Sequence, residues 1–238
     1  MKRWGHMAKT FTKIGKEITI AVKQGGPDVV GNSRLRALMA EARSENMPKD
    51  NVEKAIKRAL EKNQGDFKEV VFEGYGPHGI AYLVETATDN NTRTVANVRS
   101  YFTKCGGSLG TSGSVSFMFD HKCVFRIKYQ EGMDIDELQL ALCDCDDDPE
   151  VFIEEQEDKD ENITKNVVIY GAYESYGAIQ KYIEDNGYEL VSGGFERIPN
   201  VDLKDVTPEQ RETLDKLTGL LEDDDDVTNV YNTLKPEE

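Results

Sequence analysis

The sequence has no run approaching the roughly 18 apolar residues that a membrane span needs. Its opening, Met1-Lys2-Arg3-Trp4-Gly5-His6-Met7, lacks the apolar stretch of a secretory signal. Both absences direct the chain to the cytoplasm. Histidine is scarce: His6, His78 and His121 are the three present, none beside a second ligand or an obvious Ser or Cys partner. Metal-pair and nucleophile–histidine chemistry therefore find little support. The four cysteines, Cys105, Cys123, Cys143 and Cys145, make no Cys-x-x-Cys pair. A zinc site needs such spacing with a second Cys/His pair nearby, and a disulfide framework does not suit a chain of this size and low cysteine density. These thiols read as reduced and structural.

Two further stretches invite a ligand but lack the residues that would hold one. Gly106-Gly-Ser-Leu-Gly-Thr-Ser-Gly113 follows a helical pattern and opens an extended one, and no Lys-Ser/Thr follows it. A dinucleotide loop has the opposite polarity. This one reads as a turn with positive φ at its glycines, whose small polar residues are left for contact with a phosphate backbone or a ribosomal surface. Residues 129–161 hold fifteen acids and one Lys, but Asp144, Asp146, Asp147 and Asp148 run into Pro149. A calcium loop requires alternating ligands, a central Gly and a Glu at its twelfth position. The stretch reads as solvated acid. We expect no cofactor, no metal, no small-molecule substrate and no catalytic residue, so the chain reads as non-enzymatic.

What the sequence does have is charge, unevenly divided. Residues 1–63 carry fourteen Lys and Arg against seven acids, whereas the remaining 175 carry fifteen bases against thirty-eight acids. A basic head on an acidic body suits a protein that presents one surface to a polyanion and keeps the rest away from it.

The basic head reads as three amphipathic helices. Thr10 is a candidate cap for the first, which runs to about Gln24 and stops at Gly25-Gly26-Pro27. Phe11, Ile14, Ile18, Ala21 and Val22 share one face, and Lys9, Lys13, Lys16 and Lys23 share the opposite one. Asn32 or Ser33 opens the second helix, with Leu35, Leu38, Met39 and Ala42 as its core stripe. Pro48 suits the first turn of the third, where Val52, Ala55, Ile56, Ala59 and Leu60 are apolar and Lys54, Lys57 and Arg58 share an outward strip. Three such helices with short connections make a small bundle.

Beyond Gly65, a candidate hinge, the period becomes extended. Strands are expected near Val70–Phe72, Ile80–Thr86 and Val115–Phe119, with a helix over Thr94–Cys105 that Asp89 or Asn91 caps. Residues 123–197 then read strand, helix, strand, strand, helix, strand, which is the ferredoxin-like order. A last helix, Glu209–Glu222, is broken by Asp223–Asp226 and followed by a short strand, Val227–Leu234. These two elements have nothing to pack on alone and fit back onto the sheet of residues 67–120. The fold class is therefore α+β, with a basic helical bundle (1–65), an α+β domain (66–120 with 201–238) and an inserted ferredoxin-like α+β domain (121–200).

The candidate nucleic-acid contacts are Lys2, Arg3, Lys9, Lys13, Lys16, Lys23, Arg34, Arg36, Lys54, Lys57, Arg58 and Arg93. Lys and Arg neutralise phosphates and release counterions, so binding should be salt-sensitive and weakly specific. Trp4, His6 and Phe11 are candidates for base stacking. The partner is a nucleic acid, DNA or ribosomal RNA on the ribosome; other proteins are candidate partners for the acidic domains, and no membrane is involved.

Four blocks in order carry a family resemblance: Asn46-Met-Pro-Lys-Asp-Asn-Val-Glu-Lys-Ala-Ile-Lys-Arg58, Phe72-Glu-Gly-Tyr-Gly-Pro-His-Gly79, Thr88-Asp-Asn-Asn-Thr-Arg-Thr-Val-Ala-Asn-Val-Arg99 and Gly106-Gly-Ser-Leu-Gly-Thr-Ser-Gly-Ser-Val115. They resemble the signature blocks of the YebC family. The resemblance implies an N-terminal helical bundle, two α+β domains with one inserted in the other, and a cytoplasmic transcriptional regulator that binds DNA. Some members resemble translation factors that act at the ribosome, including the mitochondrial translational activator of cytochrome oxidase. No cofactor or catalysis is implied. Members open with a longer basic arm carrying a Gly-His-Ser-Lys-Trp-like segment. Against that pattern, the opening Met1-Lys2-Arg3-Trp4 reads as an arm that is partly missing or divergent. The resemblance assigns no individual contact residue.

Overall fold

The structure is a computed structural model that describes residues 2–61, 66–157 and 163–236; the side chains of residues 2–6, 156 and 157 lie outside the description. Gly65, the expected hinge, is also outside the described residues. Three helices lead: α1 (Lys2–Gly25), α2 (Ser33–Ser44) and α3 (Lys49–Leu60). α1 begins well before Thr10: residues 2–9 contain no proline, and the single Gly5 is tolerated within the helix. Asn32 closes one helix and opens the next. Its Nδ2 donates to the Ala21 and Gly26 carbonyls at 2.8 and 2.9 Å, and its Oδ1 accepts from the Leu35 amide at 3.0 Å.

The elements that follow are β1 (Lys68–Tyr75), β2 (Ala81–Thr88), α4 (Asn91–Lys104), β3 (Ser108–Leu109), β4 (Phe119–Lys128), α5 (Ile135–Leu142), β5 (Glu150–Glu157), β6 (Ile163–Ala172), α6 (Tyr176–Asp185), β7 (Leu190–Pro199), α7 (Pro208–Glu222) and β8 (Val227–Asn232). They make two four-stranded sheets, in the orders β3-β1-β2-β8 and β5-β6-β4-β7. The second order, read with its βαββαβ connectivity, is the ferredoxin-like arrangement. Its strands fall in sequence between β3 and β8 of the first sheet, so this stretch is inserted. The architecture is the expected α+β one, with N-terminal helices followed by two sheets. Among the described residues no helix is long and apolar enough to cross a membrane.

The chain divides into two compact units: residues 1–20, 57–120 and 197–238 form the first, and 21–56 and 121–196 the second. In the first unit, β2 is the most buried strand, with Ala81–Val84 at most 1% exposed. α4 and α7 cover one face of its sheet, where Tyr82, Val98, Phe102, Leu214, Leu217 and Leu221 interlock. Val115 and Phe119 lie against Ala81 and Leu83 on the other. In the second unit, Phe125, Ile127, Val167 and Ile169 meet Leu138, Leu142, Ile179 and Ile183 of α5 and α6. Ala37 of α2 joins this core. A Cβ added at Gly193 of β7 would lie 2.8 Å from the Phe125 ring and 3.1 Å from the Ala37 Cβ, so glycine is what lets these groups close up.

Two local expectations are corrected. The strand expected over Val115–Phe119 is a short 3-10 turn, Ser116–Met118, and pairing starts only at Phe119. The reason is Glu73 of β1, 5% exposed, whose carboxylate accepts from the amides of Gly113, Val115 and Ser116 at 2.7–2.8 Å. Those amides therefore have no strand partner to find. The cap of α4 is Asn90, whose Oδ1 accepts from the Arg93 amide at 3.1 Å, rather than Asp89 or Asn91.

Candidate nucleic-acid interface

The regular spacing of Lys9, Lys13 and Lys16 on α1 does place them on one side of the helix. That side is only partly open to solvent. In the first unit it meets the segment 222–226, which joins α7 to β8. Lys9 Nζ lies 2.6 Å from Asp223 Oδ1. Lys13 Nζ donates to the Glu222 carbonyl at 3.1 Å. Lys16 is 8% exposed, and its Nζ reaches Asp226 Oδ1 and the Asp225 carbonyl, both at 2.7 Å, and the Ala87 carbonyl at 3.2 Å.

Asp226 is the hub of this contact. Its other oxygen accepts from Arg93 Nη2 at 2.6 Å, Thr94 Oγ1 at 2.9 Å and Thr88 Oγ1 at 3.3 Å. Burial alone would raise its pKa. The Lys16, Arg93 and Thr94 bonds outweigh burial and hold the carboxyl down at about 2. Arg93, a sequence candidate for phosphate contact, also bonds Asp89 at 3.1 Å; its guanidinium is thus shared between two internal carboxylates while about half of its side chain, 49%, stays exposed. Asp224 fixes the run from its other side, accepting from Asn97 Nδ2 at 3.1 Å and the Tyr101 hydroxyl at 2.9 Å. Burial lowers the Lys13 ammonium despite the acids beside it. Lys16, Asp89, Arg93, Asn97, Tyr101 and the run Asp223–Asp226 line a cleft of about 540 Å³ together with Arg58 and Phe67. Its walls carry more acid than base, which makes it a poor pocket for a phosphate.

The other candidates separate by surroundings. Arg36, in the second unit, is held by Glu184 at 2.8 Å and by the carbonyls of Val29 and Val30 at 2.9 and 2.6 Å. Arg34 donates to Gln24 at 3.2 Å. The Arg58 guanidinium sits 4.4 Å from the centre of the Phe67 ring. Lys23, Lys54 and Lys57 are exposed. Lys54 and Lys57, three residues apart on α3, share one side of that helix and make no ion pair among the described residues. Lys2 and Arg3 belong to α1, but their side chains, with those of Trp4 and His6, lie outside the description. The expectation of one continuous outward basic strip on α1 is thus corrected. The acids were expected elsewhere, and the segment 222–226 brings them onto its lysines.

Sequence reasoning missed Asp224 and Asp226, which read only as helix breakers. The one available signal was that Asp226 directly precedes Val227, the apolar start of a strand. It missed Glu73 as well. The Gly-rich loop of residues 106–116 already offers its amides to that internal carboxylate, which argues against the phosphate-loop reading on structural grounds. Among the described residues no group of three or more His, Cys, Asp and Glu is arranged to hold a metal.

Comparison with known proteins decides the family. Residues 1–62 match the family model for the TACO1/YebC protein N-terminal domain, and residues 67–234 match that for the TACO1/YebC second and third domain. The chain belongs to the TACO1/YebC family. A TACO1/YebC relative from Parabacteroides distasonis, named "Probable transcriptional regulatory protein", is 59% identical over 237 residues, covering 100% of this chain and 93% of the relative. One of the same name from Bacteroides thetaiotaomicron is 58% identical over 238 residues, with the same coverages. A crystal structure of a conserved hypothetical protein from Aquifex aeolicus superposes with a TM-score of 0.78 at 32% identity, covering 97% of this chain and 91% of that one.

Proposed function

We propose that this TACO1/YebC chain is a non-enzymatic, cytoplasmic regulator of gene expression that binds nucleic acid through its basic N-terminal helices, with DNA as its target. Its relatives' names point to transcriptional regulation. The observation that carries the reading is the exposed pair Lys54 and Lys57 on α3, cations with no ion pair among the described residues, in a segment where bases outnumber acids two to one. Lys23 is exposed as well, whereas Lys9 and Lys13 are only half-exposed. Such contacts grip phosphates and carry no base code, so specificity comes from shape or from a partner. We further propose the division 1–65, 66–120 with 201–238, and 121–200, in which the acidic modules repel nucleic acid and confine it to the basic helices.

The test is a binding titration of labelled duplex DNA and of labelled RNA against salt. Affinity should fall steeply as salt rises, and the change of Lys54 and Lys57 to Glu should cost about tenfold or more and flatten the salt slope. Binding that is flat in salt, or indifferent to the reversal, overturns the electrostatic mechanism. A clear preference for RNA, with co-sedimentation on ribosomal particles, would move the target from DNA to the ribosome.

A further inference from the structure

Resting on the nucleic-acid reading above, we propose that the acidic segment 222–226 is a built-in competitor for phosphate, which holds the lysines of α1 in check and suppresses indiscriminate binding. The contact has two layers of different character. The inner layer is Lys16, Arg93 and Asp226. Asp226 is only 4% exposed and is held by both cations, and without it the buried Lys16 would have no carboxylate partner, so this layer anchors the segment and does not exchange. The outer layer is Lys9 with Asp223 and Lys13 with the Glu222 carbonyl. There the Lys9 and Asp223 side chains are 37% and 75% exposed. Pairs that reach solvent are weak and exchange readily, so a phosphate oxygen can take the place of the Asp223 oxygen on Lys9.

The segment does not have to leave for this to happen. It is pinned at one end by Leu221 and at the other by Asp226 and Val227, all buried, and in its middle by Asp224. Asp223 and the exposed Asp225 therefore stay beside α1 whatever Lys9 binds. Lys13 feels both Glu222 and Asp225. An incoming strand must displace the Lys9 pair and meet the repulsion of two fixed carboxylates. Generic polyanions are penalised, and only a target with compensating contacts elsewhere is retained.

The experiment compares three proteins for binding to labelled duplex DNA and labelled RNA at low salt. They are the wild-type chain, the Asp223→Asn/Asp225→Asn variant, and a control, Glu212→Gln/Asp215→Asn, which removes the same charge from exposed positions of α7. Lys9→Gln is then added to the first two. Neutralising Asp223 and Asp225 should tighten binding about three- to tenfold, against less than about twofold for the control. Lys9→Gln should matter little in the wild-type chain and should cancel the gain in the variant. A variant no tighter than the control, or a Lys9→Gln cost equal in both backgrounds, overturns the competitor while leaving the nucleic-acid reading intact. Absence of binding by all three proteins to either polymer overturns both.

Discussion

Lys16 and Asp226, 210 residues apart in sequence, meet at 2.7 Å with 10% and 6% of their side chains exposed. Their contact ties α1 to the α7–β8 segment, and the Arg93 guanidinium closes on the same carboxylate. Replacing Asp226 by Ala leaves the buried Lys16 ammonium with backbone carbonyls and no carboxylate, and should cost about 3–5 kcal/mol. Urea unfolding measures it. A loss under about 1 kcal/mol would show that the hub does not hold α1 in place.

The same hub sets an acid limit. Asp226 has a folded pKa of about 2, below its ordinary 3.8. A depressed carboxyl binds its proton less readily folded than unfolded, so its contribution is complete above pH 3.8 and disappears as pH falls toward 2. The amount is about 2 kcal/mol. Stability measured between pH 5 and pH 2 should fall more steeply in the wild-type chain than in Asp226→Asn, which lacks the titrating group. Parallel curves would rule out this carboxyl as the source.

Which parts of this were legible in the sequence follows from the range over which each is decided. The ferredoxin-like strands and helices came from local period, and their boundaries shift by only a few residues in the structure. The apolar stripe of α1 was equally plain, since Ile14, Ile18, Ala21 and Val22 are all buried. What α1 turns its lysines toward is a different kind of fact. Helical spacing says which residues share a face and nothing about what that face meets. An Asp run that punctuates a helix looks the same whether water or a lysine receives it. The strand expected at Val115 and not formed has the same origin, because a carboxylate from β1 took the amides that a ladder would have used.

Glu73 allows a direct check on that last point. Burial raises its pKa, but the three amide donors outweigh burial, and the carboxyl lies below its usual range. Glu73→Ala strands the amides of Gly113, Val115 and Ser116 around a gap and should cost about 2–4 kcal/mol. Hydrogen exchange is the sharper readout. Protection at Val115, which is fully buried, should drop by more than protection in α7 does. Equal loss across the unit would mean that the carboxylate supports the sheet generally and does not shape the loop.

Glu41 of α2 titrates in the opposite sense. Burial, the first cause, and Glu45 together raise its pKa from 4.5 to about 7, and Arg126 offsets this only in part. Arg126 is already paired with Glu154 at 3.3 Å and Glu196 at 3.1 Å, whose negative charges oppose its field at a third carboxylate. The folded pKa here exceeds the unfolded one, so the fold favours the neutral acid. Stability is greatest below pH 4.5, declines as pH rises toward 7, and is flat beyond. Glu41→Gln keeps the neutral shape at every pH. It should therefore stabilise the chain by up to about 3 kcal/mol at pH 8 and change little at pH 4. Chemical denaturation of both proteins at the two pH values measures the difference. A Gln variant that is no more stable than wild type at pH 8 would mean that the Glu41 carboxylate is adequately solvated or paired when charged. Its burial within the second unit would then carry no pH dependence.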